Sequence, residues 1–258
     1  MKDTFTLGIL ETGRPPEPLA KSFPSYADMF AQMVGATAPA HWQFEYYAPL
    51  DGQLPPSPDS CHAWLITGSK FGAYEDIAWI HALKDFIVKA YAAAVPMVGI
   101  CFGHQILAEA LGGKVIKSEK GWGVGRQTYQ WSANRPDWLE KTDLSGSDDF
   151  SILAFHQDQV VEVPPEAAVI ASSDFCNVAA LAYGDQVLSF QGHPEFNAAF
   201  VGELIENRRE ASLGDALADR AASSLELPID KNAIGAGIVQ FLKAREADWI
   251  RKMAAKAE

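Results

Sequence analysis

Apolar and polar positions along the chain follow two different rhythms, and the first of them predicts alternating strands and helices. Phe5–Leu10 alternates and then turns wholly apolar, as a first strand does. Tyr26, Met29, Phe30 and Met33 recur at helical spacing, and that stretch closes at Gly35. Trp42–Tyr47 predicts a second strand, and 51–60 is a Pro-rich polar loop. Residues 63–67 predict a buried third strand, ending in Gly68-Ser69-Lys70-Phe71-Gly72. Ile80, Leu83, Phe86, Ile87 and Ala90 share one face of a helix predicted over 79–94. A fourth strand over 95–100 and a helix over 106–111, stopped by Gly112-Gly113, complete this part. Such alternation predicts an α/β fold with a mostly parallel sheet, helices on both faces and right-handed crossovers. Ligands in such folds bind beyond the carboxyl ends of the strands.

From about residue 114 the runs shorten. Segments 115–117, 127–131, 151–155, 160–163, 168–171 and 178–183 read as short strands separated by turns such as Tyr183-Gly184-Asp185-Gln186, which predicts an antiparallel portion. An apolar strand over 187–191 then delivers Gly192-His193-Pro194-Glu195-Phe196. Helices are predicted over 198–211, near 215–224 and over 231–256, with Pro228 between the last two.

Composition narrows the classes of function. The 258 residues suffice for one substantial core, and 48% hydrophobic with 21% charged is ordinary globular usage. A formal charge of −12 argues against binding nucleic acid or an anionic membrane through bulk charge. Cys61, Cys101 and Cys176 are too few and too scattered for a disulfide framework, and none sits in a C-x-x-C pair, so the pattern calls for no metal and no cofactor. The stretch from Met1-Lys2-Asp3 onward carries no leader, and no segment approaches a membrane span, which predicts a soluble cytoplasmic protein with reduced thiols.

The chemistry centres on Gly99-Ile100-Cys101-Phe102-Gly103-His104-Gln105. A cysteine between strand and helix, with glycine two residues before and two after, is a nucleophile elbow carrying sulfur. The turn forces unusual backbone angles, the small neighbours let strand and helix approach, and the helix start favours thiolate. A thiol nucleophile needs a base, and the base an orienting partner. Of six histidines, His193 lies just past a buried strand as Cys101 does, and Glu195 two residues on fits the orienting carboxylate. His104, although close in sequence, is expected to pack or cap on its helix. The glycine turn Gly68-Ser69 offers a backbone N–H beside that of Phe102 for an oxyanion. Arg14, Phe71, Tyr74, Trp122 and Arg126 are expected in loops, either bordering the pocket or as ordinary surface and packing residues.

Gly-Ile-Cys101-Phe-Gly-His-Gln105 together with Gly-His193-Pro-Glu195 resembles the class I (triad) glutamine amidotransferases and their hydrolase relatives. The resemblance spans roughly 5–205. It implies a flavodoxin-like three-layer core over 1–205, with 206–258 a helical extension packed on the same domain. It implies that Cys101 attacks a γ-carboxamide to form a γ-glutamyl thioester that water hydrolyses. Gln105 would contact the amino-acid end of the substrate. Phe155-His156-Gln157-Asp158 is similar to the family's histidine-containing loop, whose main chain also grips the substrate, which brings in Gln157 and Asp158. The run 66–76 is more similar to the stand-alone γ-glutamyl peptidase branch, and no P-loop or synthetase domain is attached. The expected activity is hydrolysis of glutamine or of a γ-glutamyl amide or peptide. Two alternatives stay open: a glutaminase subunit passing ammonia to a separate synthetase, and a non-catalytic regulator on the same fold. Self-association into a homo-oligomer stays open as well.

Overall fold

The computed structural model describes residues 4–257, with side chains through Ala247. Met1, Lys2 and Asp3, part of the stretch read for a leader, lie outside the described residues. Strands β1 (Phe5–Leu10), β2 (Trp42–Tyr47), β3 (Ala63–Ile66) and β4 (Met97–Ile100) are interleaved with helices α1 (Glu17–Ala20), α2 (Tyr26–Gly35) and α3 (Ala78–Ala92). After α4 (Phe102–Ala110) come β5 (Lys114–Lys117), β6 (Gly123–Trp131), β7 (Asp149–His156) and β8 (Asp158–Glu162). β9 (Ala168–Ser172), β10 (Ala180–Tyr183) and β11 (Val187–Phe190) follow, then helices α5 (Ala198–Arg208), α6 (Asp215–Ser224) and α7 (Lys231–Ala257).

Nine strands form one sheet in the order β2-β1-β3-β4-β11-β10-β9-β6-β7. From β2 to β11 neighbouring strands are parallel. From β11 to β7 they are antiparallel. β5 and β8 pair antiparallel as a separate two-stranded ribbon. Side chains of the parallel strands alternate between two cores. Ala63 and Leu65 of β3 join Leu7 and Ile9 of β1, Phe30 and Val34 of α2, and Ile234, Ile238 and Leu242 of α7. Trp64 and Ile66 face the other way, onto Ile80, Leu83 and Ile87 of α3 and Ile106 and Leu107 of α4. Burial on both faces is why β3, β4 and β11 read as continuous apolar runs. A third cluster of Leu153, Phe196, Phe200, Leu204 and Ala218 packs α5 and α6 against the end of the antiparallel part. The result is the three-layer α/β, flavodoxin-like arrangement expected from the pattern and the resemblance.

Local chemistry sets the helix boundaries. Ser25 caps α2 by accepting the Asp28 N–H at 3.0 Å. α4 starts at Phe102, four residues earlier than its apolar periodicity suggests, because Gly103, His104 and Gln105 interrupt the pattern while remaining buried. The helix predicted over 198–211 ends instead at Arg208, and one π-turn over Arg209–Leu213 leads into Gly214 at φ 71°. Arg126 departs from its expected place in a loop. β6 begins at Gly123, so Arg126 is a strand residue, and it ties the sheet to the α6 segment through its N–H on Ser224 Oγ (2.9 Å) and its Nε on the Pro228 carbonyl (2.8 Å). Among the described residues no helix is long and apolar enough to cross a membrane.

Candidate active site

Cys101 joins β4 to α4 with φ 55° and ψ −103°, one of two non-glycine residues at positive φ among those described. Such a conformation costs on the order of 1–3 kcal/mol and persists only where the surroundings enforce it. The flanking glycines do so by close approach. A Cβ on Gly99 would lie 2.4 Å from Leu107 Cδ1, and one on Gly103 would lie 2.2 Å from the Ile66 carbonyl oxygen. The first helical hydrogen bond runs from the Gln105 N–H to the Cys101 carbonyl (3.0 Å), so the Phe102 N–H stands outside the helical ladder.

β11 is the parallel neighbour of β4, with Phe190 opposite Ile100, and the Cys101 N–H donates to the Phe190 carbonyl at 2.8 Å. The two motifs therefore emerge side by side at one sheet edge. The His193 N–H donates to the Leu153 carbonyl at 2.7 Å, and its ring stacks on Phe196 with centroids 4.0 Å apart and planes 4° from parallel. Nδ1–H donates to Glu195 Oε1 at 2.6 Å, which turns Nε2 to the Cys101 thiol for the second hydrogen bond of the ring. Glu195 is buried, and its Oε2 has no hydrogen-bond partner. Burial alone would lower the His193 pKa, but the charges of Glu195 and Cys101 outweigh it and raise the value to about 10.

The other histidines have different surroundings. His104 is fully buried, its Nε2–H donating to the Val178 carbonyl (3.2 Å) and its Nδ1 accepting from Ser189 Oγ (2.8 Å). Burial pushes its pKa down to about 3, so it is a neutral packing residue. His156 donates from Nδ1 to the Asp158 carbonyl (3.1 Å), with burial lowering its pKa to about 4.

Gly68 lies against Cys101 and His193: a Cβ there would sit 2.9 Å from His193 Cε1 and 3.7 Å from Cys101 Cβ. A clamp between the loops after β1 and β3 fixes its backbone. The Thr12 N–H donates to Thr67 Oγ1 (2.9 Å), Thr12 Oγ1 donates to the Thr67 carbonyl (2.9 Å), and Ser69 Oγ donates to the Thr12 carbonyl (2.6 Å). Gln105 reaches from α4 to donate Nε2 to the Asp158 carbonyl (2.9 Å) and to Gln191 Oε1 (3.2 Å). The Asp158 carboxyl is raised by burial, an effect opposed by a hydrogen bond from the Tyr74 hydroxyl and by the charge of Lys117.

These residues surround a cavity of about 700 Å³, within the range that accepts drug-sized ligands. One connected group of lining residues comprises Gln105, Gln157, Asp158, Tyr74 and Lys117. A second gathers around Phe196: Tyr26, Leu204, Arg208 and Ser212. Of the candidates for its border, Arg14, Phe71, Tyr74 and Trp122 line it and Arg126 does not. Sequence reasoning missed the Thr12–Thr67 clamp, Lys117, the Phe196 stack and Arg208. Only Phe196, an aromatic directly after the Gly-His-Pro-Glu run, left a usable signal. Among the described residues no group of three or more His, Cys, Asp or Glu is arranged to hold a metal ion.

The model of the family described as glutamine amidotransferase class-I matches residues 67–208. Gamma-glutamyl peptidase 3 of Arabidopsis thaliana is 30% identical over 212 residues, covering 80% of this chain and 83% of the relative. One subunit of a glutamine-hydrolyzing GMP synthase from Methanopyrus kandleri is 35% identical over 128 residues, 47% of this chain and 63% of that relative. The crystal structure of a glutamine amidotransferase from Methylobacillus flagellatus superposes with a TM-score of 0.70 at 23% identity, over 96% of this chain and 94% of that one. The family match, spanning both the Cys101 elbow and the His193 turn, settles the classification: the chain belongs to the class-I glutamine amidotransferase family.

Proposed function

We propose that the chain is a cysteine-dependent amidohydrolase that cleaves the γ-amide of a γ-glutamyl amide or peptide through a γ-glutamyl thioester. The observation that carries this reading is the Cys101–His193–Glu195 array at one sheet edge, with the thiol on a strained elbow and a charged imidazole against it. Similarity to gamma-glutamyl peptidase 3 supports the substrate class.

In this mechanism the Cys101 thiolate attacks the γ-carbonyl carbon, and the carbonyl oxygen takes up the negative charge. The backbone N–H groups of Phe102 and Gly68 face that oxygen. His193, protonated and held by Glu195, gives its proton to the departing nitrogen as the C–N bond breaks, leaving a thioester and a free amine. Water then enters, His193 takes its proton, and the C–S bond breaks to release the γ-carboxylate of glutamate and restore the starting pair. Gln105, Gln157 and Asp158 hold the amino-acid end of the substrate, with Ser69 fixing the oxyanion loop. Lys117 beside Asp158 supplies the cation that the α-carboxylate requires, so the two match a zwitterion. Residues 1–205 form the catalytic domain in this reading and 206–258 its extension, supported by Ile234, Ile238 and Leu242 sharing a core with β1 and α2.

The test is mass spectrometry of enzyme quenched during turnover of γ-glutamyl substrates. A γ-glutamyl adduct on Cys101, absent in Cys101→Ala, is expected. Undiminished hydrolysis by Cys101→Ala would sink the reading. A second reading, a glutaminase subunit serving a separate synthetase, draws on the similarity to the GMP synthase chain. It predicts that glutamine exceeds every γ-glutamyl peptide in kcat/KM and that a partner raises the rate; the first reading predicts that a peptide is the better substrate.

A further inference from the structure

Arg208 and Arg209 are adjacent at the end of α5 and have opposite surroundings. Arg209 is held by Glu206, Asp215 and Asp219. The half-buried Arg208 guanidinium has no ion pair or hydrogen bond among the described residues, although the chain carries 33 acidic side chains. It lines the same cavity as Cys101, beside Leu204 and Ser212 of the same segment and Tyr26 of α2. The half-buried Tyr26 phenol feels the charges of Glu195, Cys101 and Arg208 together, which puts the guanidinium within electrostatic reach of the reacting groups. Phe196 and Leu204, members of one buried apolar cluster, line the same cavity.

The glutamyl half of the substrate has its polar partners at Gln105, Asp158 and Lys117, so the Arg208 group is left for the amine that departs. Ammonia offers a guanidinium nothing to hold. An amino acid or peptide joined through its α-amine carries a carboxylate, the planar anion that the guanidinium fork matches in two parallel hydrogen bonds. A cavity of about 700 Å³ has room for such a leaving group in addition to the glutamyl moiety. We propose that Arg208 is a specificity residue that binds the carboxylate of the leaving group, so that the preferred substrates are γ-glutamyl peptides with a free C-terminus. The inference rests on the hydrolase reading above.

The test compares γ-glutamyl-glycine and γ-glutamyl-alanylglycine, each as the free acid and as the C-terminal amide, on wild-type, Arg208→Gln and Arg208→Lys proteins. Wild type is expected to favour the free acid in at least one pair by about 10-fold or more in kcat/KM, chiefly through KM, as a charge-assisted hydrogen bond allows. Arg208→Gln should bring that ratio close to one, and Arg208→Lys should keep part of it. An equal loss on acid and amide would place Arg208 at the glutamyl α-carboxylate or in the fold, and would overturn the proposal. An acid preference that survives Arg208→Gln, or no preference in wild type, would overturn it too, with the hydrolase reading intact. Absence of a Cys101 thioester on every substrate would remove the hydrolase reading and this inference together.

Discussion

Glu195→Gln keeps the size of the side chain and an acceptor oxygen for His193 Nδ1–H, and removes only the charge. In the native site that charge, with Cys101, lifts the ring from its ordinary 6.5 to about 10 against the pull of burial. At about 1.36 kcal/mol per pKa unit, the lift corresponds to a preference of about 5 kcal/mol for the charged ring. Without the carboxylate the largest opposing influence on the buried ring is gone, and it becomes neutral at pH 7. The thiol then loses the cation that stabilises its thiolate, and the departing amine loses its proton donor. A positioned acid–base group contributes about 10²–10⁴-fold, so kcat/KM should fall within that span. A second readout isolates the electrostatics: the rate of Cys101 alkylation by iodoacetamide as a function of pH. The charged ring beside Cys101 stabilises its thiolate, so wild-type Cys101 should be alkylated readily at neutral pH. In Glu195→Gln, with the ring neutral, alkylation at neutral pH should be markedly slower. Superimposable profiles for the two proteins would refute this account, whatever happens to turnover.

Three further outcomes follow from the same geometry. Gly103→Ala drives a Cβ to within 2.2 Å of the Ile66 carbonyl, a backbone atom of a central strand, and should cost about 3 kcal/mol or more in urea unfolding; a loss under about 1 kcal/mol would show that β3 and α4 can part freely. Cys101→Gly releases a φ of 55° that Cys101→Ala retains, so the glycine variant should be the more stable by about 1 kcal/mol, with both inactive. His104 and His156 are depressed to about 3 and about 4, so between those values and 6.5 the unfolded chain binds protons that the folded chain refuses, and stability falls as pH falls. At pH 5 each should cost about 2 kcal/mol relative to pH 7, while the raised His193 works the other way and recovers only about 1 kcal/mol over the same interval. A urea midpoint flat between pH 7 and 5 would contradict the buried neutral assignments.

What could be read in advance divides along physical lines. The central strands β3, β4 and β11 were legible because burial on both faces writes uninterrupted apolar runs, and the boundaries of β1 and of the edge strand β2 fell where the pattern put them. Cys101 was legible because its turn imposes glycines at fixed offsets, a constraint local in sequence. Strand order is not local: that β11 pairs directly with β4 follows from packing across the whole sheet, and 187–191 carries no mark of its neighbour. Arg126 was misplaced because Gly123 and Gly125 break the alternation that would have carried the strand predicted over 127–131 back to the start of β6. Arg208 and Arg209 are the same residue type one position apart, and only the helix phase and the π-turn after α5 send one to the cavity and the other to three carboxylates.

Three unfavourable features sit at or beside the place where the chemistry is assigned. Cys101 at positive φ and His156, with a buried ring nitrogen lacking a partner, line one cleft, and the buried Glu195, with an unpartnered carboxylate oxygen, lies behind His193. Each costs about 1–3 kcal/mol, against a net stability of only about 5–15 kcal/mol for a typical domain. They persist because nothing around them can relax: Gly103 is pressed on β3, His193 is bonded to Leu153 and stacked on Phe196, and Thr12 is locked to Thr67. The Gln105–Asp158 and Arg208 ends of the cavity hang from this fixed centre by separate contacts. Substitutions at Arg208 should therefore change which amine leaves without disturbing how the thiol is activated, and substitutions at Glu195 should do the reverse.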